Sequence, residues 1–240
     1  MLVLAVDTAT PAVTAGLVHL EQTGAGPIPE RVRTVASRVY VDARAHAEVL
    51  TPQILECLAE SGCARGDIGA VVAGIGPGPF TGLRVGMATA AAFGDALGIP
   101  VYGVCSLDAI AADAGREPRG ENPAADADPD AAGLLVVTDA RRREVYWARY
   151  RDGARVAGPA VDKPADVDPD TVAAIAGSAS HVDLFDLPVL PVESPSPLGL
   201  VTVAAPALLA GAAPEPLVPL YLRRPDAVER SYRALDRTGA

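Results

Sequence analysis

The chain has 240 residues, half of them apolar, and a formal charge of −10. That length can bury one large core or two small ones, and that charge repels a phosphate backbone, so the chain is not expected to hold RNA alone. No apolar run approaches the roughly 18 residues of a membrane span, and the only lysine, Lys163, precedes Pro164, which excludes a G-K-[ST] phosphate loop.

In chain order, Leu2 to Asp7 is a nearly continuous apolar run that reads as a buried first strand. A turn at Thr8 to Pro11 leads into Val13 to Leu20, and residues 31 to 40 alternate polar with apolar as a half-exposed strand does. From Ala43 to Ser61 the spacing becomes helical, with Ala47, Leu50, Ile54 and Leu58 on one face. Pro52 predicts a kink there, or a late start capped by Thr51, and Gly62 predicts the stop. Gly69 to Ile75 reads as a short buried strand, Gly76 to Phe80 as a loop and Thr81 to Leu97 as a second helix. Val101 to Val104 is a further strand, and Ser106 is placed to cap a short helix reaching Ala114.

Residues 116 to 131 are rich in proline and acids and read as a solvated insertion. Beyond it Leu134 to Asp139 repeats the form of Leu2 to Asp7, and each is followed by a second strand (Val13 to Leu20; Glu144 to Tyr150). A buried strand ending in Asp and turning back, found twice, predicts an internal duplication with a cleft lined by Asp7 and Asp139. The three cysteines, Cys57, Cys63 and Cys105, form no C-x-x-C pair and fit a reducing, cytoplasmic setting. The three histidines form no H-E-x-x-H, and no G-x-S-x-G elbow occurs.

The most informative stretch runs from Gly74 to Gly86, G-I-G-P-G-P-F-T-G-L-R-V-G. It fails as a dinucleotide fingerprint, because Pro79 or Thr81 stands where the third glycine belongs. It reads as a strand, a stiffened tight turn and a helix start. Gly78, Gly82, Gly86, Ala90, Gly94 and Gly98 recur at every fourth position. Glycine inside a helix costs ~1 kcal/mol against alanine, so such a row requires close approach by something. The spacing leaves open whether that is another element of this chain or a second subunit.

Five ordered segments then resemble the TsaB family. They are Val6-Asp7-Thr8-Ala9; His46-Ala47-Glu48 with Leu50 and Pro52; the glycine signature; Thr138-Asp139-Ala140-Arg141 with Val145-Tyr146; and Pro219-Leu220-Tyr221-Leu222-Arg223. Pro79 departs from the serine usual in that signature. The resemblance implies an α/β fold of two ribonuclease-H-like lobes of the actin, Hsp70 and sugar-kinase type, with mixed sheets flanked by helices. The expected division is residues 1–107 and 108–240, with a helix at about 197–211 able to return to the first lobe.

The resemblance also implies a function: a non-catalytic subunit that binds and activates the TsaD transferase in threonylcarbamoyl modification of tRNA. A TsaE-like ATPase would be a further partner, tRNA would be met only through the complex, and no membrane, cofactor or metal is expected. TsaD holds its metal with a His-x-x-x-His pair on the first helix, whereas here Leu50 stands four residues after His46. Kinases of the fold cradle phosphates on glycine-bearing hairpin turns, and the turns after Asp7 and Asp139 have no glycine. Asp7, Thr8 and Asp139 therefore read as a vestigial nucleotide site. No catalytic residue is assigned; an ATP-dependent small-molecule kinase and a glycoprotease-like metallopeptidase are the rival readings. Arg141 to Arg143 read as a solvated face by default, with a salt-bridge cluster or a contact to partner or RNA as alternatives. The expected subunit interface is His46, Leu50, Ile54, Gly82, Gly86, Ala90 and Gly94, a surface that also permits a homodimer when the chain is alone.

Overall fold

The computed structural model describes residues 1–23, 26–116, 133–169 and 172–223, so the insertion at 116 to 131 lies almost wholly outside the described residues. The first unit comprises β1 (Leu2–Asp7), β2 (Ala12–Leu20), a one-turn helix α1 (Ile28–Arg31), β3 (Val32–Val41) and α2 (His46–Ser61). It continues with β4 (Ile68–Gly74), α3 (Phe80–Leu97), β5 (Val101–Val104) and α4 (Ser106–Ala114). The second holds β6 (Leu134–Asp139), β7 (Val145–Arg151), β8 (Ala154–Asp162), β9 (Ala174–Gly177) and a short helix α5 (Ala179–Val182), and α6 (Pro197–Ala210) follows.

Two mixed sheets result, with strand orders β3-β2-β1-β4-β5 and β8-β7-β6-β9. Each begins with an antiparallel meander and gains a parallel strand beside its first strand, β4 on β1 and β9 on β6. Asp7 and Asp139 occupy the same place in this repeated pattern, the last residue of the central strand. The fold is α/β, two such units with helices on their faces.

The first sheet is covered on both sides, which is why β1 and β4 read as continuous apolar runs rather than alternating ones. Leu4, Val6, Ala15 and Leu17 pack with Leu50, Ile54 and Cys57 of α2 and with Ala90 of α3. On the other face Val3, Ala5, Val18 and Val72 pack with Leu200, Val201, Ala204 and Leu208 of α6. α6 begins at Ser196, whose Oγ accepts the Gly199 N–H at 3.0 Å, with Pro197 in its first turn. A side chain at Gly16 would meet the Pro197 ring at 2.6 Å, so this docking needs glycine on β2. α4 joins the two units: Ala109 belongs to the first core, and Leu107 and Ile110 pack with Leu134, Val136 and Tyr150.

Two local expectations change. α2 starts at His46 and is continuous through Pro52, so Thr51 is mid-helix and no cap. Pro52 is exposed, so the carbonyl that it leaves without a donor lies on the solvent side. Ser106 is the first residue of α4 and makes no capping bond, because its hydroxyl is drawn to a buried carboxylate instead. Among the described residues no helix is long and apolar enough to cross a membrane.

Candidate functional site

The site is built around the turn from β1 to β2. Asp7 is fully buried; its Oδ1 accepts the Ala9 N–H at 2.8 Å and its Oδ2 accepts the Ser106 hydroxyl at 2.5 Å. The Ser106 Oγ in turn accepts the Gly76 N–H at 3.3 Å, and the Ser106 N–H donates to the Gly76 carbonyl at 2.8 Å. The end of β1, the start of α4 and the glycine loop are thus one hydrogen-bonded unit. Desolvation pushes the Asp7 carboxyl up to about 6, against the hydrogen bonds from Ser106 and Ala9 and the charge of His46. A side chain at Gly74 would collide with that carboxylate.

Thr8 enters α3. Its hydroxyl donates to the Gly82 carbonyl at 2.7 Å and accepts the Gly86 N–H at 2.9 Å, so it stands between two groups that a regular helix would pair directly. A Cβ at Gly86 would collide with Thr8 Oγ1, one at Gly82 would lie 2.9 Å from the Thr8 carbonyl, and one at Gly94 would collide with Val101. Ala90 belongs to the core beneath α2.

This corrects the expected interface. His46, Leu50, Ile54, Gly82, Gly86, Ala90 and Gly94 are all buried within the chain itself. Fourfold spacing of small residues locates a face of close approach, and what approaches is the chain itself: the first turn at Gly82 and Gly86, and Val101 of β5 at Gly94. The outward faces lie a step round each helix. On α2 they expose Ala47, Thr51, Leu55 and Ala59, and on the adjacent α3 they expose Arg84, Ala88, Ala92 and Ala96.

The vestigial set is also divided. Asp7 has no exposed surface, so it lines no cleft with Asp139. Asp139 is partly exposed; its Oδ1 accepts the Arg141 N–H at 2.7 Å and lies 3.5 Å from His181 Nε2, and its Oδ2 is 3.4 Å from the Arg141 guanidinium. The Asp7 carboxylate is thus closed to a phosphate-bound cation, and that of Asp139 is shared with Arg141. His46 places Nδ1 3.0 Å from the Ala43 carbonyl and Nε2 2.9 Å from the Thr10 carbonyl, which leaves neither nitrogen for a metal. Among the described residues no group of three or more His, Cys, Asp or Glu could hold a metal ion. The residues present do not fit the metal that the resemblance associates with TsaD.

A second cluster unites motifs that stand far apart in sequence. Phe80 and Tyr221 stack at 3.9 Å with an interplanar angle of 3°, and the Arg84 guanidinium lies 4.7 Å from the Phe80 ring and donates from Nε to the Tyr221 hydroxyl at 2.6 Å. The Leu220 N–H donates to the Ile75 carbonyl at 2.8 Å. Arg223 then crosses to the second unit, donating to the Ala140 carbonyl at 2.6 Å and pairing with Glu144 at 2.8 Å. The terminal segment is therefore a strap from the glycine signature to the β6–β7 turn. In that turn Arg141, Arg142 and Arg143 are exposed and all have positive φ (63°, 53° and 64°). Sequence reasoning found each motif but missed Ser106, Thr10 and this convergence. The one available signal was that Ser106 stands two residues after a strand, and it reads equally well as a cap.

Comparison with known proteins supplies the context. The family model of TsaD, tRNA N6-adenosine threonylcarbamoyltransferase, matches residues 35–222. An uncharacterized protein of Mycobacterium tuberculosis is 55% identical over 225 residues, covering 94% of this chain and 93% of its own length. The Escherichia coli tRNA threonylcarbamoyladenosine biosynthesis protein TsaB is 33% identical over 151 residues, 63% of this chain and 55% of that protein. The structure of YeaZ from Pseudomonas aeruginosa superposes with a TM-score of 0.70 at 29% identity, covering 92% of this chain and 99% of that one. A second Pseudomonas aeruginosa structure, of a protein with similarity to peptidase YeaZ, gives 0.71 at 30% identity over the same shares.

Proposed function

The chain belongs to the TsaB family, the YeaZ-like proteins, and from that premise we propose that it takes part in threonylcarbamoyladenosine formation on tRNA as a non-catalytic subunit. Its role is to bind and activate a TsaD-like transferase. A TsaE-like ATPase joins the same complex, and tRNA is met only through it. The three cysteines are free, which suits a reducing, cytoplasmic setting.

The observation that carries this reading is the closure of the first carboxylate. In a nucleotide-using relative the Asp at the end of the first strand must reach a cation or phosphate. Here both Asp7 oxygens are engaged by Ser106 and Ala9, with no exposed surface. A buried, satisfied carboxylate supports a structural role for the fold's former centre. The partner surface is the paired outward faces of α2 and α3, rich in alanine and centred on the exposed Leu55, 42% accessible. Small side chains there allow a similarly folded subunit to lay its own helices close, with dispersion contacts over several turns. The same surface paired with itself gives a homodimer when TsaD is absent.

Co-purification of the full chain with its TsaD-like subunit tests this. Ala92→Arg is expected to abolish the complex and leave the melting temperature of the isolated chain unchanged. Undiminished association of a folded Ala92→Arg chain would place the partner elsewhere. The isolated chain is expected to show no ATP hydrolysis, peptide cleavage or threonylcarbamoyl transfer. A turnover that survives purification and disappears in Asp7→Ala would overturn the non-catalytic reading.

A further inference from the structure

On a chain whose formal charge is −10, four exposed arginines are gathered by the terminal strap. Arg84 stands on the outward face of α3, and Arg141, Arg142 and Arg143 form the β6–β7 turn. Arg84 donates to the Tyr221 hydroxyl, and Arg223, two residues on, is bonded to the Ala140 carbonyl and to Glu144. Two residues span at most about 7 Å of chain, so Arg84 and the turn are neighbours along the strap. We propose that this basic surface contacts the phosphate backbone of RNA when the chain is in complex with its transferase partner.

The inference rests on the proposed subunit role and adds to it a direct part in holding the RNA. The two carboxylates of the turn are committed, Asp139 to Arg141 at 3.4 Å and Glu144 to Arg223 at 2.8 Å. A guanidinium carries five N–H donors. Arg141, with Nη1 on Asp139, and Arg84, with Nε on Tyr221, therefore keep further donors, and the side chain of Arg141 is 62% exposed. The planar fork suits the paired oxygens of a phosphate.

The residue type in the turn runs against its backbone. All three arginines have φ between 53° and 64°, a region that glycine or asparagine adopts at less cost. Arginine at three such positions in a row strains the hairpin and supplies exposed positive charge. Alone, that charge works against the field of an acidic chain. Beside a partner that already holds the RNA, it meets phosphate at high effective concentration. Arg84 lies on the proposed partner face itself, so the basic surface begins where the partner would sit.

The test uses the full chain in complex with its TsaD-like subunit and an unmodified tRNA transcript, with the association constant measured across a salt series. Arg142→Gly/Arg143→Gly removes two charges at positions where glycine is conformationally favoured, so the variant should fold. It is expected to bind the tRNA more weakly and to reduce the slope of log K against log salt by about 1.5–2, one phosphate contact for each arginine. Arg33→Ser/Arg65→Ser, which removes two exposed charges elsewhere, should leave the slope unchanged. An intact variant complex with the wild-type slope overturns the inference, as does an equal reduction in the control. If the variant no longer joins the TsaD-like subunit, the turn is a protein contact and the inference fails. If the wild-type chain forms no complex, the subunit role fails and the inference with it. Should the glycine variant not fold, Arg142→Asn/Arg143→Asn, with a residue also tolerant of positive φ, takes its place.

Discussion

The Thr8 hydroxyl stands inside the hydrogen-bond ladder of α3, where it accepts the Gly86 N–H at 2.9 Å and leaves no room for a side chain on Gly86. The first turn of the chain is thus keyed into the helix of the glycine signature, 78 residues away in sequence. Gly86→Ala should cost about 2–3 kcal/mol, in the range of a core overpacking. Thr8→Ala removes the obstacle and lets Gly86 pair with Gly82 as in a regular helix. Denaturant unfolding of both single variants and the double variant should show strong non-additivity, with Thr8→Ala/Gly86→Ala more stable than Gly86→Ala. Simple addition of the two losses would mean that the contact does not govern Gly86.

Asp7 predicts a pH dependence of opposite origin to that of a salt-bridged acid. Its carboxyl is raised by burial from 3.8 to about 6, so the native state binds the proton more tightly than the unfolded chain does. Its contribution is therefore greatest below pH 4, falls as pH rises through about 6, and is gone above. A shift of that size corresponds to roughly 3 kcal/mol at most. Asp7→Asn keeps an acceptor for Ala9 and removes the ionisation. Its stability relative to wild type should rise between pH 4 and pH 8, measured by urea unfolding at both.

The strap predicts a graded series. Tyr221→Ala loses the ring stack on Phe80 together with the contact to Arg84, and should cost about 1–2 kcal/mol. Tyr221→Phe keeps the stack, loses only an exposed hydrogen bond and should cost less than half as much. Equal losses for the two variants would assign the strap's anchorage to the hydroxyl rather than to the rings.

Thiol labelling at pH 8 should separate the cysteines. Burial pushes the Cys57 and Cys105 thiols up to about 11, and both side chains are nearly inaccessible. Cys63 is partly exposed. One thiol per folded chain should react readily and the other two only after unfolding; rapid loss of all three would contradict the packing of α2 and α4.

Much of this molecule was legible as local pattern. The apolar runs of β1 and β6, the turn glycines and the helical spacing of α2 each follow from what a few adjacent residues can bury. The repeated strand-Asp start was legible too, and the two sheets share its topology. What the sequence could not supply was the identity of neighbours. Gly82, Gly86 and Gly94 announced a close approach, but whether Thr8 and Val101 or a second subunit fills the space depends on contacts distant along the chain. Ser106 has the sequence of a helix cap and acts as a lid on Asp7, because strand order brings β5 to the edge of the sheet beyond β4. Local residues determine which elements form and which faces are apolar. Only the packing of those faces decides which polar groups meet in the interior, as the Asp7 carboxylate and the Ser106 hydroxyl do.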